Sequence, residues 1–219
     1  MNEHGIVLDH DRERRLGFDE AIYAAGKSVA QIEAIVAHAL ESRARRLLTR
    51  LDAAKYEALC APARAALDYD PVSRTAFLGE PPQDGAQARV AIVTGGSSDV
   101  PVSREAMRTL AYYGLASLHI PDVGVAGLWR LLARLEEIRP MRVVIAVAGM
   151  EGALPSVVAG LVPGVVIALP TSVGYGVSEG GKAALHSALA SCAPGLLAVN
   201  IDNGYGAACA ALRVLRAAP

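Results

Sequence analysis

The sequence predicts an α/β protein: a doubly wound parallel sheet over residues 86–219, preceded by a small helical region over residues 1–85. Three observations predict it. After residue 87, short β-branched runs alternate with helical stretches, giving strands at 88–94, 115–120, 142–148, 164–169 and 196–201 and helices at 101–113, 126–138, 154–162, 182–191 and 204–216. These strands are apolar throughout instead of alternating, so both faces of the sheet must be covered, as helices cover a parallel sheet. Each strand then gives way to a loop rich in small residues: "TGGSSD", "PDVG", "AGMEG", "PTSVGYG" and "NIDNG".

The first 85 residues read differently. Residues 29–51 carry apolar side chains at helical spacing with Ser28 as N-cap, and "AAKYEALCAPARAAL" continues in that mode. The charged opening "DHDRERRLGFDEAIYAAGKS" reads as a solvated arm or interface segment. "EPPQDGAQ", residues 80–87, breaks both patterns and marks a boundary.

Composition narrows the function classes. The 219 residues are 53% hydrophobic, ample for a buried core. With 21 Lys and Arg against 22 Asp and Glu, the formal charge of −1 gives no electrostatic footprint for nucleic acid or an anionic membrane. No apolar run could span a bilayer and the charged N-terminus lacks the apolar centre of a signal peptide, which predicts a cytoplasmic protein. Cys60, Cys192 and Cys209 are odd in number and widely spaced, suiting neither a disulfide framework nor a zinc site. Cys60 and Cys209 read as core residues on helix faces. His119 and His186 lack partners at ligand spacing and read as structural.

In doubly wound sheets, ligands bind beyond the carboxyl ends of the strands, where all five small-residue loops fall. Gly95 and Gly96 admit a close ligand, Ser97 and Ser98 offer hydroxyls, and the helix that follows presents N–H groups and a positive dipole end suited to phosphate. Asp99 fits as that helix's N-cap, or as acceptor for a ribose hydroxyl or a metal. The spacing is neither G-x-x-x-x-G-K-[ST] nor G-x-G-x-x-G. Glu151 is the acid/base candidate, set beside Gly149 among residues small enough for a ligand to close in. Thr171, Ser172 and the N–H groups between Gly174 and Gly176 suit a phosphate or carboxylate. Asn200 and Asp202 close the rim.

These residues carry a resemblance. "GGSSDVPVSREA" followed by "AGMEGALPSVVAGLVPGVVIALP" is similar to the aminoimidazole ribonucleotide carboxylase/mutase (PurE-like) family of purine synthesis, which implies a flavodoxin-like three-layer fold. That family places a catalytic histidine just before the Leu-Pro; here Ala153 precedes Leu154 and Pro155. A closer match, through "AGMEGALPSVVAGL", "PTSVGYG", "SCAPG", "VNIDNGYGA" and "RLGFDEAIYAAGKS", resembles the pyridinium-biscarboxylic acid mononucleotide synthases of nickel-pincer cofactor biosynthesis. That resemblance implies a carboxylase and hydrolase of nicotinic acid adenine dinucleotide, adding carbon dioxide or bicarbonate to the ring and releasing AMP. It implies Cys192 as nucleophile, Glu151 as the base that removes the ring proton, and a homo-octamer built on the C-terminal domain. Cys192 follows a helix, so its activation must come from the cationic ring or a nearby side chain. No cofactor is expected to be tightly bound, and magnesium held by Asp99 or Asp202 is one means of neutralising charge during anhydride cleavage. Two alternatives stay open. One is purine-type chemistry on an aminoimidazole ribonucleotide. The other is a non-catalytic nucleotide-binding module, which would use the same rim without Cys192 or Glu151.

Overall fold

The computed structural model describes residues 9, 11–82 and 87–217, and divides into two units, Met1–Pro82 and Gln83–Pro219. Residues 83–86 of the "EPPQDGAQ" break, and most of the charged N-terminus, lie outside the described residues.

The first unit corrects the helical expectation. It orders α1 (Arg12–Leu16), β1 (Ile22–Tyr23), α2 (Val29–Glu41), β2 (Arg46–Thr49), α3 (Ala53–Ala58), α4 (Ala61–Ala65), β3 (Leu67–Asp70) and β4 (Thr75–Leu78). The strands form a mixed sheet in the order β1-β2-β4-β3. Ser28 does begin α2, in a capping box with Gln31. The helix stops at Glu41, however, and residues 46–49 are a strand. Arg43 takes a left-handed φ of 51°, and Ala44 N–H returns to the Ala39 carbonyl at 2.9 Å, closing a Schellman turn built on arginine where glycine is usual. Beyond it every residue of β2 is buried, and a continuous apolar run can be read as helix or strand. The opening arm is also partly core: Phe18 and Ile22 are buried. Cys60 is exposed at the start of α4, which corrects its core reading, and Cys209 is half-buried on the last helix.

The second unit follows the expected alternation: β5 (Val90–Thr94), α5 (Val100–Tyr112), β6 (Ser117–Ile120), α6 (Leu128–Ala133), α7 (Leu135–Ile138), β7 (Val143–Ala148), α8 (Ala153–Ala159), β8 (Val165–Pro170), α9 (Lys182–Leu189), β9 (Leu197–Ala198) and α10 (Gly204–Ala217). The sheet is parallel, in the order β6-β5-β7-β8-β9. This is the flavodoxin-like winding, whose direction reverses between β5 and β7 and so opens a crevice at their carboxyl ends. The stretch 126–138 is two short helices broken at Arg134, and β9 keeps only two residues of the expected 196–201.

Pleating sends successive side chains of β5 and β7 to opposite faces. Ala91, Val93, Val144 and Ala146 join Leu131, Ile138, Leu154 and Val158 under α6, α7 and α8. Helices α5 and α10 pack together over the other face. Ile145, on the central strand, is fully buried there. Truncation at such a site removes transfer free energy and leaves a cavity, so Ile145→Ala should lower unfolding free energy by about 2–5 kcal/mol in urea titrations.

Candidate active site

Past the strand ends the backbone continues its ladder, which fixes the loops before any side chain acts. Gly95 N–H donates to Val147 O at 2.8 Å, Val123 N–H to Thr94 O at 2.8 Å, Met150 N–H to Val173 O at 2.8 Å and Asp202 N–H to Pro170 O at 2.8 Å. Thr94 adds a clasp between the first two loops: its hydroxyl donates to Gly96 O at 2.9 Å and accepts from Asp122 N–H at 3.0 Å. Gly149 is where the β7 and β8 loops approach most closely. A Cβ there would stand 2.1 Å from Val173 O and 2.6 Å from Thr171 Oγ1, so only glycine fits.

Asp99 occupies the N-cap position of α5, as expected, yet its side chain serves these loops instead of that helix. It is 4% exposed and makes no side-chain cap bond to α5. Instead Oδ1 accepts from the Thr171 hydroxyl at 2.6 Å and Oδ2 from Gly96 N–H at 2.9 Å. Burial pushes its carboxyl above the ordinary value, with the Asp202 charge adding in the same direction, while bonds from Thr171, Gly96 and Gly149 favour the charged form and offset part of the rise. Asp202, at a left-handed φ of 54°, accepts Ser172 N–H at 2.8 Å.

A cavity of about 300 Å³ opens at this rim. Of the residues expected to bind substrate, Gly96, Ser98, Asp99 and Gly149 line it, as does the acid/base candidate Glu151. Glu151 is exposed and is held between Met150 and Gly152, both left-handed at φ 52° and 65°. Ser97 begins the one-turn 3-10 segment beneath the loop. Thr171, Ser172, Gly174, Gly176, Asn200 and Asp202 lie outside the wall: Thr171 and Asp202 act from behind through their bonds, Asn200 accepts Ile201 N–H, and Val173 is what the β8 loop presents. Sequence reasoning missed Arg130, which lines the cavity from α6; its only signal was a cation one turn into the helix after "PDVG". Ala153 also faces the cavity wall, at the position where the purine family's motif has histidine.

Within one chain Cys192 does not line this cavity. It is exposed in the turn after α9. The turn is tied to α8, where the Ser156 hydroxyl donates to Ser191 Oγ at 2.7 Å and Ser191 Oγ accepts Ala193 N–H at 3.1 Å. Ser156 lies about one helical turn from Ala153.

The magnesium expectation finds no preassembled cage. Among the described residues no three His, Cys, Asp or Glu side chains are grouped as a metal would need, and Asp99 spends both oxygens on protein donors. His119, on β6, meets Ser103 Oγ through Nε2 at 2.9 Å; burial, then the Arg104 charge, lowers its pKa.

Comparison with known proteins decides the family. The AIR carboxylase model matches residues 89–218, and a model described as a LarB/PurE-like N-terminal domain matches residues 4–80. The chain belongs to the AIR carboxylase family. An uncharacterized protein of Methanocaldococcus jannaschii is 36% identical over 214 residues, covering 94% of this chain and 82% of the relative. The crystal structure of a Treponema denticola PurE2 variant superposes with a TM-score of 0.51 at 24% identity, covering 61% of this chain and 83% of that one; it speaks for the fold alone. Membership sets the chain among carboxylase-type enzymes of the PurE/LarB group, the N-terminal domain being of the LarB kind. Among the described residues no helix is long and apolar enough to cross a membrane.

A raised folded-state value means that folding favours the protonated form of Asp99. Its stability contribution is full below the ordinary value of 3.8 and is lost as pH rises through the elevated folded value. Asp99→Asn cannot titrate, so the stability of wild type relative to this variant should fall as pH is raised from about 4 to about 7 in urea titrations, a trend that a carboxyl with no shift would not give.

Proposed function

We propose that this protein carboxylates the pyridinium ring of nicotinic acid adenine dinucleotide and cleaves its phosphoanhydride, yielding pyridinium-3,5-biscarboxylic acid mononucleotide and AMP. The observation that carries this reading is the cavity wall itself: it holds Glu151 and, at the purine family's histidine position, only the methyl group of Ala153. Purine-type chemistry would want an acid/base at that position. The LarB-type N-terminal domain supports the same choice.

The chemistry needs one nucleophile and one base. A pyridinium ring is electron-poor, and its free meta carbon cannot attack carbon dioxide. Addition of the Cys192 thiolate at the para carbon forms a C–S bond and moves an electron pair onto the ring nitrogen, leaving a neutral dihydropyridine whose meta carbon is an enamine terminus. That carbon attacks carbon dioxide, or carbon dioxide released from bicarbonate, forming the C–C bond. Glu151 then takes the ring proton, and the freed electron pair expels the thiolate and restores the aromatic ring. Water attack on the phosphoanhydride releases AMP. No step requires an oxidant.

Cys192 stands on the surface of one chain, so the reading also includes a homo-oligomer in which the exposed thiol is covered; the octamer implied by resemblance is the form proposed. Large apolar groups left open on this unit support it: Trp129 is 72% exposed, Tyr175 78%, Val177 97% and Leu189 69%. Light scattering at micromolar concentration should give a multiple of the 22.8 kDa chain mass, and a monomer would overturn the assembly.

Cys192→Ser should lose nearly all carboxylation, because an alkoxide is hard to form near neutral pH and leaves poorly. Glu151→Gln should still permit thiolate addition and carbon dioxide capture, so a covalent enzyme adduct should build up in intact-protein mass spectra taken with dinucleotide and labelled bicarbonate. A Cys192→Ser enzyme making the dicarboxylated product at near wild-type rate would remove the covalent route. Turnover of an aminoimidazole ribonucleotide in place of the dinucleotide would remove the substrate.

A further inference from the structure

The cavity wall contains one residue whose chemistry the reaction above leaves unused. Arg130 is the single cation among the described residues that line it, and its side chain is 31% exposed. Two features hold it there. Its Nη1 donates to Asp122 Oδ2 at 2.7 Å, and Asp122 is itself pinned, at a left-handed φ of 57°, by its N–H bond to Thr94 Oγ1 at the end of β5. The rest of the guanidinium lies over bare backbone at Gly127, where an added Cβ would stand 2.8 Å from Nε and 3.3 Å from Cζ. An ion pair at a rim needs neither a missing side chain beneath it nor a backbone-locked carboxylate. Together they fix the fork at the cavity wall with donors left over, since Nη1 to Asp122 is the one hydrogen bond it makes among the described residues.

We infer that Arg130 is the specificity-determining residue of this cavity and receives a carboxylate carried by the bound ring. The two carboxylates at the wall, Asp99 and Glu151, cannot serve an anionic ligand, and a planar guanidinium fork matches a planar carboxylate through paired N–H donors. A phosphate is the other anion that the proposed substrate carries. The ring is favoured because Glu151, the group assigned to the ring proton, lines the same cavity, and about 300 Å³ is the space of one part of a dinucleotide and not of the whole. Arg130 thereby separates an acid from its amide. The inference rests on the dinucleotide reading and deepens it.

Calorimetric titrations with nicotinic acid adenine dinucleotide, its nicotinamide counterpart and ADP-ribose test it on wild type, Arg130→Gln and Arg130→Lys, each checked for unchanged circular dichroism. Wild type should bind the acid more tightly than the amide by about 10- to 100-fold, the worth of a hydrogen-bonded charge pair. Arg130→Gln should bring the acid down to the level of the amide while ADP-ribose binds as before, and Arg130→Lys should fall between. Equal weakening of all three ligands would assign Arg130 to phosphate and overturn the inference. So would an acid-to-amide ratio that Arg130→Gln leaves untouched, even in an enzyme that turns over the dinucleotide. Wild-type protein that binds none of the three overturns the dinucleotide reading and this inference together.

Discussion

The buried carboxylate of Asp99 stands where the ends of β5, β7 and β8 converge, and the rim is assembled around it. Its acceptors reach Gly96 in its own loop, Gly149 beyond β7 and Thr171 beyond β8. A carboxylate withdrawn from water costs several kcal/mol unless donors replace the lost hydration, so three loops must bring their donors to one point or the site does not form. The demand propagates outwards. Thr171 can reach Asp99 only if β7 and β8 come close at Gly149, and Ser172 is then presented to Asp202, whose left-handed backbone leads into α10. A second buried carboxylate fastens that junction, where Glu105 of α5 accepts Gly204 N–H at 2.9 Å. Asp99, just before α5, and Glu105 within it therefore hold the β8 loop and the start of α10 at two points.

Because Asp99 turns its oxygens inward, the charges offered to a ligand are those of Glu151 and Arg130, on opposite sides of the switch point in strand order. The rest of the wall is mostly small or apolar, with glycines, alanines, valines, Met150 and Leu154 beside Ser98, which suits the flat ligand of mixed charge proposed above. The fold alone would not have given this, since one scaffold carries many chemistries and the site must be argued from its residues. At residue 153 this chain carries a methyl group on the cavity wall, and the proposed reaction asks no acid/base of that position.

The second unit was legible because parallel strands buried on both faces leave continuous apolar runs, and each helix between them buries one stripe. The first unit was not. The end of α2 is enforced by Arg43 in a left-handed conformation, which sequence reading assigns to glycine or asparagine, and β2 follows as four buried residues with no alternation. The hairpin of β3 and β4 turns through Asp70–Thr75, where Ser73 N–H donates to the buried Asp70 at 3.0 Å. At the site, glycine-rich strand ends announced where the cavity would be, yet the roles within it followed tertiary geometry. Asp99 had the position and chemistry of a helix cap but a better offer from two neighbouring loops. Arg130 sat on a helix whose sequence looked like ordinary amphipathic surface, and its place at the cavity, paired with Asp122 in the preceding loop, is a contact that no local pattern announces.

The exposure of Cys192 follows from the same geometry. Strand β9 pairs for only two residues at the sheet edge, so the segment between α9 and β9 has little sheet to pack against and is anchored instead by Ser191 to Ser156 of α8. That anchor fixes the turn to the helix whose first residues form the cavity wall, so the thiol and the cavity are held in constant relation without sharing a surface in one chain. A nucleophile that attacks a cationic ring needs access and a fixed approach more than a buried base, because the electrophile itself supplies the driving force. The same turn is flanked by the open apolar groups of Leu189 and Leu197. In the proposed reaction water would be excluded from the thiol only when another surface covers them, so the proposed assembly and the proposed covalent route stand or fall together.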